Sequence, residues 1–285
     1  MALSLDDYKS NVEIAWCPGC GNFGILQAVK QALLELELPP HKALICSGIG
    51  QAPKLPHYMR VNTFNGLHGR EIASATAAKL AADDLKVIVH SGDGGAYGEG
   101  ANHLIHAIRR NIGITVVVHD NKTYGLTKGQ ASPTAEEGTI TTLQPKGVTA
   151  RSLNPLALAI SLSCSFVAQG YSAKTEHLVK ILKKAIEHRG FSLVNVLQPC
   201  VTWDQVHTYK YYEEHCMELG DDYNSSDRST ALNLVHDQTD WMPLGVIYQE
   251  KRVPYCEMIL EGVKHPLRDR WVDPNVVKWL YPKFR

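Results

Sequence analysis

Apolar residues along this chain fall into two rhythms. Short β-rich runs occur at "ALICSGIG" from Ala43, "KVIVHSGDGG" from Lys86, "ITVVVHDNKTYG" from Ile114 and "SLVNVLQPC" from Ser192. Consecutive branched side chains suit strands buried on both faces, and each run stops at glycine, proline or asparagine. Between these runs apolar residues recur three and four apart over about 23–36, 70–82, 100–110, 154–163 and 174–188, the spacing of amphipathic helices. Alternating strands and helices predict an α/β fold: a doubly wound, mostly parallel sheet with helices on both faces and all strand carboxyl ends on one edge. Cys46, Asp93, Asn121 and Cys200 each lie at or just past a predicted strand end, so all four are expected along that rim.

After about residue 200 the rhythm weakens into "TYKYYEEHC" and the polar "LGDDYNSSDRST". The expected division is therefore a binding domain over 1–200 and a carboxyl-terminal extension or arm over 201–285. A chain of 285 residues that is 44% hydrophobic can build one large core. Lys+Arg 29 balances Asp+Glu 29 and the thirteen histidines are scattered, which argues against a nucleic-acid partner. No stretch of about 18 apolar residues runs uninterrupted and "MALSLDDYKS" has no apolar leader, so a cytoplasmic protein without membrane contact is expected. The seven cysteines, an odd number at irregular spacing, do not read as a disulfide framework. Thiolates for metal or redox work, with the remainder buried as small apolar residues, fit better.

The densest chemistry lies in "SGDGGAYGEGANHLIHAIRRNIGITVVVHDNKTYG". A strand ends in Gly92-Asp93-Gly94, a helix follows, and the next strand ends in Asp120-Asn121. Glycines let backbone amides approach a phosphate, and the helix offers its positive end to negative charge. Asp93 and Asn121 give a hard cation two oxygen ligands. One carboxylate with amide and carbonyl oxygens suits Mg²⁺, whose shell a diphosphate completes. A lone G-D-G would be read as a turn; followed by a helix and D-N at the next strand end, it is far more specific. In "WCPGCGNFG", Cys17 and Cys20 could form a redox dithiol, but no convincing strand precedes them. Four rim thiolates would instead suit an iron–sulfur cluster. His103 and His106 share a helix face without a third ligand, and helix packing explains them.

This segment resembles the thiamine diphosphate motif, G-D-G followed by an asparagine pair, with Asp120 in place of the first asparagine. More narrowly, "GDG…NHLIHAIRRN…DNKTYGLTKGQASPT" resembles the β subunit of 2-oxoacid:ferredoxin oxidoreductases, and the similarity runs from about Trp16 to Cys200. The resemblance implies that Asp93, the Asn121 side chain and the Thr123 carbonyl hold Mg²⁺. Gly48, Gly92, Gly94 and Gly95 would lie near thiamine diphosphate, with Leu126 and Thr127 also close. His68 in "NGLHGRE" would contact the diphosphate or a reaction intermediate, unless it only caps a helix. Lys54 in "GIGQAPKLPHYMR" would neutralise the substrate carboxylate, unless it is a solvated surface lysine. For the family's [4Fe–4S] cluster, Cys17, Cys20 and Cys200 match directly. Where many relatives read G-I-G-C this chain has "GIGQ", with Gln51 at the ligand position; Cys46 is the available substitute, and a cluster on three cysteines is the alternative. Cys164, Cys216 and Cys256 receive no such role.

The implied reaction is reversible oxidative decarboxylation of a 2-oxoacid to an acyl-CoA and CO₂, with electrons passed to a ferredoxin. "GLTKGQASPT" is closer to 2-oxoglutarate and broad-range enzymes than to pyruvate-specific ones. The glutamate that protonates the aminopyrimidine comes, in the family, from an α subunit, so an αβ pair or a dimer of pairs is expected. Two other classes stand beside this one. A non-redox thiamine diphosphate decarboxylase or carboligase would have no use for the thiolates. An iron–sulfur electron carrier would leave the G-D-G to D-N pattern unexplained.

Overall fold

In the central strands, neighbouring residues point into different helical layers. Val87, Val89, Val116 and Val118 enter one hydrophobic core, whereas Ile88, Val117, Val194 and Val196 enter the other. This period of two, with both faces buried, explains why the strand sequences read as continuous apolar runs. The structure, a computed structural model, describes residues 3–236, 241–259, 274–280 and 282. Its strands are β1 (Ala43–Ser47), β2 (Asn62–Asn65), β3 (Lys86–Gly92), β4 (Thr115–Asp120), β5 (Thr123–Tyr124), β6 (Gln130–Ala131), β7 (Phe166–Tyr171), β8 (Ser192–Leu197), β9 (Cys216–Glu218) and β10 (Met242–Gln249). Its helices are α1 (Asn22–Glu35), α2 (Glu71–Ala81), α3 (Ala101–Arg110), α4 (Pro155–Ser161), α5 (Thr175–Glu187), α6 (Tyr209–His215), α7 (Arg228–His236), α8 (Tyr255–Ile259) and α9 (Pro274–Leu280).

Among the described residues, eight strands form one sheet in the order β2-β1-β3-β4-β8-β7-β10-β9, and β5 with β6 makes a separate small hairpin. The first six are mutually parallel, and β10 joins β7 antiparallel. The carboxyl ends of β1, β3, β4 and β8 therefore stand side by side, as the alternating pattern predicts. Helices α1 and α5 cover one face; α2, α3, α4 and α7 cover the other. Among the described residues no helix is long and apolar enough to cross a membrane.

Besides the small β5–β6 hairpin, four strands of the sheet, β2, β7, β9 and β10, escape the sequence reading. β2, "NTFN", is exposed at all four positions and owes its existence to backbone pairing with β1 at the sheet edge. β7 is fully buried, but Gln169 and Gly170 interrupt its apolar run. β10 belongs to the carboxyl-terminal extension, which folds back on the sheet and shares its core through Ala231, Val235 and Ile247 rather than building a separate one. The part of the extension over 260–273 lies outside the described residues.

Two close contacts seat α1. A buried polar chain runs from His90 Nδ1 to His119 Nε2 (2.9 Å) and from His119 Nδ1 to Asn22 Oδ1 (2.7 Å), tying β3 and β4 to the start of α1. Burial keeps both imidazoles neutral, with His90 lowered to about 3. Two residues further, a Cβ on Gly24 would lie 2.1 Å from the Ser172 carbonyl oxygen. Gly24→Ala is therefore expected to push α1 off the sheet and cost about 1–3 kcal/mol, the usual range for overpacking. Thermal unfolding checks this, and an unchanged midpoint would contradict the contact.

Candidate active site

The chain leaves β3 at Gly92 and enters a single π-helical turn over Gly94–Glu99. Such turns place side chains where an α-helix would not. Asp93 caps the turn, accepting the Gly94 amide on Oδ1 (2.9 Å). The residue at 94 has to be glycine, because a Cβ there would come within 2.3 Å of the Tyr124 ring. Tyr124 is delivered by the β5–β6 hairpin, which also returns Ser132 and Thr134 to the buried Asp93 carboxylate: both hydroxyls reach Oδ2, at 2.7 and 2.9 Å.

Thr134 Oγ1 also lies 2.7 Å from Asp120 Oδ1. A hydroxyl has one hydrogen, so it can donate to only one of these carboxylates. Burial first, then the neighbouring Asp120, raises the Asp93 pKa, while Ser132, Thr134 and the Gly94 amide oppose the shift. A pair of buried acids short of donors calls for a proton or a cation. The Asp120 side of the network is closed by Asn195 Nδ2 at 3.1 Å, and Asn195 in turn accepts the Tyr97 hydroxyl at 2.8 Å. "GLTKGQASPT" contains Ser132 and Thr134, but the sequence gives no signal that they fold back on Asp93.

Immediately after β4, Asn121 Oδ1 accepts the Thr123 amide (3.1 Å), and its Nδ2 donates to Gln198 Oε1 (3.1 Å). Asp93, Asn121 and Thr123 line one groove together with His68, Gly92, Gly94, Gly95, Leu126 and Thr127. Gly48 sits just behind it, where a Cβ would lie 2.3 Å from the buried Glu71 carboxylate. His68 stacks on Tyr124 (6.0 Å between centroids) and pairs with Glu99 at 3.2 Å. Glu71, Glu99, Tyr124 and Gln198 were not singled out in the sequence because their partners come from distant loops. Lys54, half buried in the 3₁₀ segment Ala52–Tyr58, is not among the groove-lining residues.

The cysteines divide. Cys17 and Cys20 share a loop that meets the Cys200 segment, the Cys20 amide donating to the Cys17 carbonyl (3.0 Å) and the Gly21 amide to the Pro199 carbonyl (3.3 Å); burial, with a smaller contribution from the neighbouring Cys200 and Cys17, lifts the Cys20 thiol to about 11. Thr202 Oγ1 lies 3.1 Å from Cys17 Sγ, and Gln198 Nε2 lies 3.5 Å from Cys20 Sγ. Cys46 does not join them, which corrects the expectation that it substitutes for a missing ligand. It is fully buried within β1, where Ile45 faces α1 and α5 and the next residue must face the other way; it packs with Ile72 and Val89 under α2. Burial alone lifts its thiol to about 12. Gln51 approaches the cysteine loop instead: Trp16 Nε1 donates to its carbonyl (2.8 Å), and its Oε1 is buried without a hydrogen-bond partner among the described residues. Cys164 and Cys256 are buried, and Cys216 is half buried, away from this group.

The segment after Cys200 is clamped by His207, whose Nδ1 meets Asp204 at 2.6 Å and whose Nε2 meets Glu136 at 2.9 Å. Burial works to lower the His207 pKa, but the two carboxylates outweigh it and hold it above the ordinary 6.5. A raised folded value stabilises fully below the unfolded one and loses its effect as pH rises through the folded one. The stability gap between wild type and His207→Gln is thus expected to be widest below the ordinary histidine value of about 6.5 and to narrow as pH rises past it. Thermal melts across that range check it.

Among the described residues no three His, Cys, Asp or Glu side chains meet around a single ion. The donors fit the two implied groups nonetheless. Mg²⁺ bound by one carboxylate, one amide oxygen, a backbone carbonyl and phosphate oxygens needs no such trio. An iron–sulfur cube is wider than an ion, so the thiolates that hold one need not converge on a single point.

Residues 47–196 match the family described as "Thiamine pyrophosphate enzyme, C-terminal TPP binding domain", and residues 200–265 match the family of the C-terminal region of the pyruvate ferredoxin oxidoreductase beta chain. The chain is 44% identical over 255 residues to a 2-oxoacid:ferredoxin oxidoreductase subunit beta of Saccharolobus solfataricus, covering 85% of this chain and 84% of that one. It is 43% identical over 194 residues to the 2-oxoglutarate oxidoreductase subunit KorB of Mycobacterium tuberculosis, covering 68% and 52%. Among solved structures, the 2-oxoglutarate:ferredoxin oxidoreductase from Magnetococcus marinus with 2-oxoglutarate, coenzyme A and succinyl-CoA bound superposes with a TM-score of 0.90 at 33% identity, over 98% of this chain and 96% of that one.

Proposed function

The chain belongs to the β subunits of the 2-oxoacid:ferredoxin oxidoreductases, and on that premise we propose that it carries the metal, diphosphate and electron-transfer half of a site for CoA-dependent oxidative decarboxylation of 2-oxoglutarate. The observation that carries this reading is the adjacency of two donor sets. Asp93, Asn121 and Thr123 line one groove, and Asn121 is one side chain away from Cys20. When bound, thiamine diphosphate supplies a nucleophilic ring carbon and electron sink, and an iron–sulfur cluster takes electrons singly.

The residues divide the work. Asp93, the Asn121 side chain and the Thr123 carbonyl hold Mg²⁺, and Ser132 and Thr134 fix the Asp93 carboxylate. Gly94 and Gly95 leave the diphosphate free to approach the backbone, with Gly48 and Gly92 beside it. His68, oriented by Glu99 and Tyr124, faces the groove as a donor to phosphate or substrate; Leu126 and Thr127 shape its open side. Cys17, Cys20 and Cys200 hold the cluster, and the Gln51 loop closes the side that lacks a fourth thiolate. Lys54 supplies positive charge towards the substrate carboxylate once the partner completes the wall.

The groove encloses only about 100 Å³, well below the roughly 300–1,000 Å³ of a complete ligand site. Its rim leaves Ile49, Leu67, Leu126 and Trp203 exposed, a patch that suits burial against an α subunit. The Mycobacterium and Magnetococcus relatives, whose names specify 2-oxoglutarate, favour that substrate. Three thiolates beside the groove weigh against a non-redox decarboxylase.

The test is anaerobic co-purification with the partner subunit, followed by iron, sulfide and thiamine assays and a screen of 2-oxoacids with coenzyme A and a ferredoxin. 2-Oxoglutarate-dependent ferredoxin reduction is expected from the complex and none from the chain alone. A complex that binds thiamine diphosphate without iron, or turnover by the isolated chain, would overturn the reading.

A further inference from the structure

We infer that Gln198 is a positioning residue that links the two centres, orienting Asn121 for the metal through one end of its carboxamide and donating a hydrogen bond to the Cys20 sulfur through the other. The inference rests on the functional reading above, and adds a residue and a coupling that it does not contain.

The orientation of the link is fixed by its ends. The Thr123 amide is only a donor, so Asn121 must turn its oxygen towards it (3.1 Å) and its NH₂ towards Gln198. Gln198 must then present Oε1 to Asn121 (3.1 Å), which leaves Nε2 to donate to the Pro199 carbonyl (2.8 Å), only an acceptor, and to Cys20 Sγ (3.5 Å). No alternative flip satisfies both ends. Gln198 is buried, its main-chain amide is held by the Asp120 carbonyl at 2.9 Å, and its side chain passes over Gly21, where a Cβ would come within 2.8 Å of Cγ. It therefore has little freedom to do anything else. The same rigidity lets each centre feel the other.

Each end has its own consequence. Fixing Asn121 keeps Oδ1, with one lone pair on Thr123, available for a cation with the other, and losing such an outer partner weakens metal sites about 10–100-fold. Donation to a cluster thiolate draws electron density from the iron and raises its reduction potential.

Two variants in the αβ holoenzyme separate these ends. Gln198→Leu removes both, so Mg²⁺ affinity, read by thiamine diphosphate-dependent thermal shift over a Mg²⁺ titration, is expected to fall about 10–100-fold. The cluster potential, read by an electron-paramagnetic-resonance redox titration, should move negative. Gln198→Glu still accepts from Asn121 but has no donor for Cys20; it should keep near-wild-type Mg²⁺ affinity and shift the potential negative. Wild-type potential in both variants, or unchanged Mg²⁺ affinity in Gln198→Leu, would overturn the link. An iron-free wild-type complex would sink the functional reading instead, and the Mg²⁺ titration of Gln198→Leu would still decide the metal end.

Discussion

Asp93→Asn is expected to make the unliganded chain more resistant to unfolding and, at the same time, to abolish its response to Mg²⁺ and thiamine diphosphate. The two effects have one origin. Asp93 is buried beside Asp120, and the hydrogen of Thr134 cannot serve both carboxylates. Without a cation, the folded chain bears a desolvation and repulsion cost that a neutral amide removes. Asparagine can still accept the Gly94 amide and donate to the Ser132 and Thr134 hydroxyls, so packing is kept. What it cannot supply is the one anionic ligand of the metal, and the loss should exceed the roughly 10–100-fold that follows removal of an outer partner. Thermal melts with and without Mg²⁺ and thiamine diphosphate read both effects. A variant that is less stable than wild type when unliganded, or that still shifts with the ligands, would show that the acid pair is not the seat of the metal.

Cys20→Ser is expected to strip the αβ complex of iron and sulfide while leaving thiamine diphosphate and Mg²⁺ binding in place. On the proposed assignment, Cys17 and Cys200 would be the two thiolates left, too few to hold a cube. 2-Oxoglutarate-dependent ferredoxin reduction should fall to background. Cys46→Ala is the control that distinguishes the two ligand sets: its sulfur packs with Ile72 and Val89 in the core under α2, so the change should lower stability and leave iron content unchanged. Iron lost from Cys46→Ala, or retained in Cys20→Ser, would refute the three-cysteine assignment.

The contrast between Cys46 and Cys200 shows what the sequence makes legible. Both sit near the end of an apolar run, and run endings located β1 and β8 well. Whether a residue is still inside a strand or already in the loop beyond it is a matter of one or two positions. Cys46 falls inside, and strand parity turns it to the far face; Cys200 falls outside and is free to reach Cys20. The Asp93 to Asn121 spacing was legible because a strand, a helix and a strand of ordinary length carry it. Ser132, Thr134 and Gln198 were not, because their roles come from the β5–β6 hairpin turning back and from two loops meeting across the sheet edge. The same holds for β7 and β10, whose pairing is decided by neighbours rather than by their own composition.

The placement of β8 between β4 and β7 bears on how this protein is made. β8 is the last of the parallel strands to leave the ribosome, yet it takes an interior slot. On the proposed three-cysteine assignment, a nascent chain that has not reached residue 200 holds two of the three cluster ligands, Cys17 and Cys20. A cluster held this way would be completed only once β8 is in place, and a slow step in inserting that strand would leave behind a colourless apoprotein with its Gly92–Gly95 loop intact.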